Sequence, residues 1–407
     1  MSHSHATTSA CFRDLLRSEQ TRGMLEQICR KPIDLFSVER CWPLGNHGMR
    51  VQWSAAFDGT PMHIYGCIDT HRRESMQKAA EKEPNTRLWD ETTGLLIHLP
   101  ESDPKLPELA ELRQPRLASK RLSSLGLGNI DSVTLQGYKP ARRATLIYKT
   151  IDNRRYVGKI FKTTADAKQV AERHQILRDA LSDTAGPKIT VPRVVGVIES
   201  VGMVVFEAVP GRAPNPLKHS GDLEILMQAL TALHQASIAG LETFGMAEEH
   251  EALDRWIRFA GSVDPSLADR ASALTSQRLE RGEQPVAITP SRLIHRDYYE
   301  KQLLVTKRKA TLLDLDTLAY GPPEIDLGNL VAHITLARLL KMNAHGLQES
   351  ITQTREHYPA CDATALVYYT VTSLIRISLV HGMRDASKHA AHPLLDAAQH
   401  LIEGIEK

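Results

Sequence analysis

The chain has 407 residues, 42% apolar and 24% charged, a balance that supports a sizeable core over more than one domain and excludes disorder as the default. Its formal net charge of +2 supplies no global field toward nucleic acid or an acidic membrane. The cysteines, Cys11, Cys29, Cys41, Cys67 and Cys361, form no CxxC pair, which argues against a disulfide framework and against a zinc site.

The N-terminus lacks the basic-then-apolar order of a signal peptide. No charge-free run reaches the roughly 18 apolar residues of a membrane span. A cytoplasmic protein without a transmembrane helix is expected. His3 and His5 read either as a stray metal site or as a disordered polar start.

Phe12, Leu15, Leu16, Met24 and Ile28 recur at helical spacing and predict one amphipathic helix over 12–30. Residues 47–68 alternate as two strands around Asp58-Gly59, a hairpin signal. A helix follows from His71 to Glu83, then a buried strand at 94–99 and a connector at 100–126. The order then restarts. Residues 132–148 read as strand, Asp152-Asn153 as a turn and RRYVGKIFK as the return strand. Residues 164–182 read as helix, and 188–196 and 202–207 as strands. From 222 onward the chain is helical except for loops around 290–325.

These two halves can be laid over each other. SVERCWPLGNHGMRVQW covers SVTLQGYKPARRATLIY, which places Trp53 on Tyr148; Gly66 falls on Gly158, Cys67 on Lys159 and Gly94 on Gly202. Residues 31–110 therefore read either as a degenerate copy of the second unit or as an unrelated cap of similar build.

The chemistry-bearing segment is LIHRDYYEKQLLV at 293–305, followed by LLDLDTLAYGPPEIDLGNL at 312–330. Apolar runs lead into His295-Arg296-Asp297 and into Asp314, which sets carboxylates at strand ends with Gln302 between them. Phosphoryl transfer needs such a set: one carboxylate to orient a hydroxyl and take its proton, and another with an oxygen ligand to hold magnesium. The competing reading is a buried ion-pair network in an ordinary α/β domain.

HRDYYEKQ, LLDLD and EIDLGNL together resemble the aminoglycoside phosphotransferase and choline kinase family, relatives of the protein kinases, over residues 130–385. The resemblance implies Asp297 as catalytic base, with His295 and Arg296 in the catalytic loop and Asp326 as scaffold. It implies Asp314 as principal metal ligand, with Gln302 as a second where the family usually carries Asn, a departure shared with maltokinase-like sugar kinases. Arg296 is the protein-kinase form; Gly is commoner in the small-molecule enzymes. Asp316 reads as a second metal ligand or as a solvated or capping group. Asp326 reads as a helix N-cap.

Lys159, flanked by apolar residues in RRYVGKIFK, is similar to the phosphate-binding lysine of this fold. Glu172 on the next helix is either its partner or a solvent-facing residue. No GxGxxG covers the phosphates; Lys139, Arg142 and Arg143 either supply charge in its place or form a basic surface turn. GMVVFEAVPG resembles the hinge, where Glu207 to Val209 would meet adenine through backbone groups. His234, in the QALTALHQ segment, is expected to be satisfied locally. Tyr298 and Tyr299 either stack on an acceptor or pack the loop.

The expected fold is α+β and bilobal, protein-kinase-like, with a small β-rich lobe, a large helical lobe and an N-terminal cap. The cap is set at 1–130, the small lobe and hinge at 131–211, and the large lobe at 212–407. The expected activity is ATP- and magnesium-dependent phosphoryl transfer to a small-molecule hydroxyl, of a sugar or amino sugar. The partners expected are that acceptor, no nucleic acid and no membrane, in a monomer or dimer. A pseudokinase is the alternative; a protein kinase is disfavoured by the short interval from Asp314 to Asp326 and the lack of an APE-like segment.

Overall fold

The computed structural model describes residues 9–45, 48–181, 188–280, 291–307, 309–342 and 346–404; His3 and His5 lie outside them. The chain packs as two units, each discontinuous in sequence. One comprises Met1–Leu99, Phe244–Pro290 and Leu327–Lys407, the other Pro100–Thr243 and Ser291–Asp326. These units cut across the segments 1–130, 131–211 and 212–407.

The N-terminal segment holds two helices, α1 (Ser9–Leu15) and α2 (Glu19–Cys29), where one was expected. Ser18 breaks the run, because its side chain accepts from the Thr21 N–H and caps α2. Strands β1 (Leu35–Pro43), β2 (Gly48–Phe57) and β3 (Thr60–Asp69) form a meander. Asp58 and Gly59 turn β2 into β3 at φ of 49° and 72°, the left-handed pair that a two-residue hairpin turn demands. Helix α3 (Arg73–Lys82) leads to β4 (Arg87–Asp90) and β5 (Leu95–His98). Trp53, fully buried, donates its indole N–H to Leu16 O at 2.9 Å, which ties the sheet to the N-terminal helices.

Residues 100–126 are not featureless. They hold α4 (Leu109–Leu112) and α5 (Pro115–Leu122), with Pro115 starting α5. Then come β6 (Ile130–Lys139), β7 (Arg143–Thr150), β8 (Arg155–Phe161) and α6 (Thr164–Ala180). The strand expected over 188–196 is two, β9 (Lys188–Thr190) and β10 (Val194–Ile198), in different sheets. Pro192 lies between them and cannot donate to a ladder. Strand β11 (Met203–Glu207) completes the sheet, and α7 (Gly221–Gln235) follows.

The two five-stranded sheets run β1-β2-β3-β5-β4 and β6-β7-β8-β11-β10, which is one order repeated. Their registers agree at the residues the sequence overlay equates. Val38 faces Trp53 as Val133 faces Tyr148. Arg50 faces Cys67 as Thr145 faces Lys159, and Cys67 faces Leu96 as Lys159 faces Val204. Gly66 and Gly158 play the same part: a Cβ would lie 2.8 Å from the Trp53 ring in one and 2.7 Å from the Tyr148 ring in the other. Gly94 and Gly202 both take left-handed φ, 73° and 57°. Where the second sheet carries Lys159, the first carries Cys67, packed with Met76, Ala80, Leu96 and Trp89.

The remaining helices are α8 (Met246–Gly261) and α9 (Pro265–Glu280), then α10 (Glu324–Leu339), α11 (Leu347–His357), α12 (Ala363–Gly382) and α13 (Ala391–Gly404). Short strands β12 (Arg292–Ile294), β13 (Leu303–Val305), β14 (Lys309–Leu312) and β15 (Ala319–Gly321) lie between α9 and α10. By length and composition α12 could cross a membrane, but 72% of its apolar window is buried inside the protein. It is a core helix: Phe259 and Val263 and the residue after α12, Met383, join Trp53, Ile64 and Ile97 in one apolar cluster.

Candidate active site

The loop between β12 and β13 carries His295, Arg296, Asp297 and Gln302. Asp326, fully buried, anchors it. Its Oδ2 accepts the His295 N–H at 2.7 Å and its Oδ1 accepts the Arg296 N–H at 2.7 Å. His234 Nε2 lies 3.1 Å from the same Oδ2. Asp326 is thus not the N-cap expected of it: α10 begins at Glu324, and the carboxylate serves the loop. His234, expected to be satisfied locally, also has a long-range partner in Asp326.

His295 Nε2 lies 2.8 Å from Leu313 O, and the His295 O accepts from the Thr317 hydroxyl at 2.8 Å. The loop that carries His295 is thereby stitched to the segment that carries Asp314. Tyr298 is buried and donates to Leu226 O at 2.7 Å, so of its two expected roles it packs the loop. Arg296 has φ of 71°, a conformation glycine adopts freely and other residues resist. Gln302, buried, directs its amide to within 3.5 Å of Asp297 Oδ2.

Asp314 follows β14 and also takes a left-handed φ, 52°. Its Oδ1 lies 2.8 Å from Lys159 Nζ. Lys159 sits mid-strand in β8, and its Nζ also reaches Asp316 Oδ1 at 3.1 Å. Arg143, at the start of β7, lies 3.2 Å from Asp314 Oδ2 and ion-pairs with Asp316 Oδ2. Asp316 is therefore neither solvated nor a cap. Burial alone would raise the Asp314 pKa; Lys159 and Arg143 beside it hold the carboxyl well below the usual carboxylate range. Burial likewise lowers the Lys159 pKa, with Asp314 opposing.

Glu172 does not pair with Lys159. Helix α6 buries Ala167, Val170, His174 and Leu177, while Glu172 is exposed. It stands two residues from His174, about 200° around the helix. His174 takes the inward position, with its ring 4.6 Å from Phe206.

At the expected hinge, the Glu207 N–H donates to Arg193 O at 3.0 Å and the Ala208 N–H to Arg155 O at 3.1 Å. Val209 is the one of the three whose N–H is not engaged by another backbone group among the described residues. The Glu207 side chain ion-pairs with Arg193. The β6–β7 turn carries Lys139, Arg142 and Arg143. Asp103, buried, holds it from below by accepting from Tyr138 Oη at 2.6 Å and the Ala141 N–H at 2.7 Å.

Among the described residues no three His, Cys, Asp or Glu side chains form a metal cage. Asp314 and Asp316 present two hard carboxylates on one short turn. That donor set suits magnesium, which takes one or two carboxylates and completes its shell with water and phosphate oxygens.

Sequence reasoning missed Asp103, Arg143 as a carboxylate partner and the pairing of His234 with Asp326; Asp316 it left open between a metal ligand and a solvated or capping group. Only His234 carried a signal, in the resemblance of QALTALHQ.

The model of the phosphotransferase enzyme family matches residues 142–362. No curated protein sequence matches the chain. Among solved structures, a choline/ethanolamine kinase family protein from Mesorhizobium loti is 17% identical, with 73% of this chain and 94% of that chain covered and a TM-score of 0.46. A choline kinase from Streptococcus pneumoniae is 14% identical, with 71% and 98% covered and a TM-score of 0.46. The family match, with the sheets and helices above, makes the fold α+β and protein-kinase-like.

Proposed function

This chain belongs to the phosphotransferase enzyme family, and we propose on that premise that it transfers the γ-phosphoryl group of magnesium-bound ATP to a hydroxyl of a small molecule. A sugar or amino sugar is the acceptor we favour, on the resemblance of the loop with Gln302 to sugar kinases. The observation that carries the reading is the Lys159–Asp314 contact of 2.8 Å, beside a loop whose backbone Asp326 holds at two points.

In this reading Lys159, with Arg143, binds the phosphates. Asp314 and Asp316 hold the metal, with Gln302 near it. Magnesium, when bound, neutralises charge on the phosphates and orients them. Asp297 accepts a hydrogen bond from the acceptor hydroxyl and takes its proton as the new O–P bond forms and the bond from the γ-phosphorus to the departing ADP breaks. His295 and Asp326 do not touch substrate; they keep the Asp297 loop in place. Residues 131–211 supply the nucleotide site, including the hinge at Val209, and residues 212–407 the catalytic and metal loops. A cytoplasmic setting suits an ATP consumer.

The test is ADP release from magnesium-ATP across a panel of hydroxyl compounds. Asp297→Asn should lower kcat by roughly 100-fold or more with nucleotide affinity nearly unchanged. Wild-type turnover in that variant would remove Asp297 from the mechanism. No acceptor-dependent ADP release, together with intact nucleotide binding, would favour the pseudokinase alternative.

A further inference from the structure

Lys159 and Arg143 form a closed box with Asp314 and Asp316. Lys159 takes the Oδ1 atom of both carboxylates, at 2.8 and 3.1 Å. Arg143 takes the Oδ2 atom of both, Asp314 at 3.2 Å and Asp316 in closer contact. Every carboxylate oxygen at the candidate metal position is therefore held by a cation of the protein. The two cations and Asp316 are poorly solvated, with side-chain exposure of 19% for Arg143, 13% for Lys159 and 11% for Asp316, while Asp314 is 32% exposed.

The arginine arrives from a stiff support. Its turn is closed by Arg142 N–H on Lys139 O at 3.0 Å and fastened by Asp103 to Tyr138 and Ala141. A guanidinium is planar and permanently charged, and its fork can engage two carboxylates at once. A glycine loop could do neither.

We propose that Arg143 gates the metal site, so that a divalent cation enters only in company with a polyphosphate. The proposal rests on the reading that Asp314 and Asp316 hold the metal. A cation that binds alone must displace Arg143 and Lys159 from the carboxylates, which leaves two poorly solvated positive charges unpaired beside a third, and that is costly. A nucleotide triphosphate removes the conflict, because its phosphate oxygens receive both side chains as the carboxylates turn to the metal. Metal and nucleotide binding are then coupled, and Arg143 is the residue that couples them.

The test titrates the full chain with Mn2+, with and without ATP, follows free Mn2+ by electron paramagnetic resonance, and subtracts the Mn2+ that ATP takes up in a protein-free titration. Arg143→Gln should bind Mn2+ without nucleotide about 5- to 150-fold more tightly than wild type, the usual range of coupling between sites. With the Mn2+ affinity of the ATP-bound form unchanged, the gain that ATP brings should shrink by the same factor, and by reciprocity so should the gain in ATP affinity that Mn2+ brings. A merely structural arginine would not move the nucleotide-free affinity upward. Arg143→Lys, which keeps the charge but not the fork, should fall between the two and stands in if the glutamine variant fails to fold. Equal nucleotide-free Mn2+ affinity in wild type and the folded variant overturns the gate while leaving the kinase reading intact. A wild type that binds no Mn2+ even with ATP overturns the reading beneath it as well.

Discussion

The backbone N–H of His295 lies 2.7 Å from Asp326 Oδ2, and both residues are fully buried. The next N–H, of Arg296, lies 2.7 Å from the other oxygen. One carboxylate thus receives two consecutive amides of the candidate catalytic loop, with the His234 ring on the same side.

Asp326→Asn exchanges one of those oxygens for an NH2 group that must face a donor. Charge-assisted hydrogen bonds contribute about 1.5–3 kcal/mol each, so a loss of about 3 kcal/mol in urea unfolding is expected. Activity should fall by more than the unfolded fraction explains, because the loop loses its register. A stability within about 0.5 kcal/mol of wild type, the range of ordinary surface changes, would show that the anchor is dispensable.

Gly66→Ala and Gly158→Ala make a matched pair. Each new Cβ would press on a buried ring, Trp53 or Tyr148, and Gly158 also meets Met203 Sδ at 2.8 Å. Each should cost about 1–3 kcal/mol, the usual penalty of overpacking. Only Gly158→Ala should weaken the thermal shift that ATP produces, since it adjoins Lys159 on β8. An equal effect of both variants on nucleotide binding would contradict the assignment of the site to the second sheet alone.

His174 is buried, and burial pushes its pKa down to about 4; Lys159 reinforces this, while the Val170 carbonyl and Asp314 oppose it. An unfolded histidine titrates near 6.5. Between those values the unfolded chain binds a proton that the folded chain refuses. Stability should therefore fall as pH drops from about 6.5 to about 4, by about 3 kcal/mol for this group, and be unaffected by it above that window. His174→Phe should flatten the difference. Parallel stability–pH profiles for wild type and variant would show that His174 does not titrate on unfolding.

Elements whose cause is local could be read from neighbouring residues alone. Asp58-Gly59 is a turn because that pair tolerates left-handed backbone, and Lys159, Asp297 and Asp314 stood out because apolar strand residues abut them. The likeness of the two halves was legible too, since Gly66 beneath Trp53 and Gly158 beneath Tyr148 leave a trace in each segment. The rest depends on partners far apart in the chain. Glu172 and His174 are both polar residues on one helix, and the phase of α6 against its sheet put His174 inward and Glu172 in water. Asp326 looked like a cap because it opens a helix, yet its carboxylate meets amides from a loop that begins at His295. The roles of Arg143 and Asp316 each stayed open between two readings until the fold brought β7 to the segment after β14. Charge acts through space, so its partners are invisible to any reading confined to neighbours along the chain.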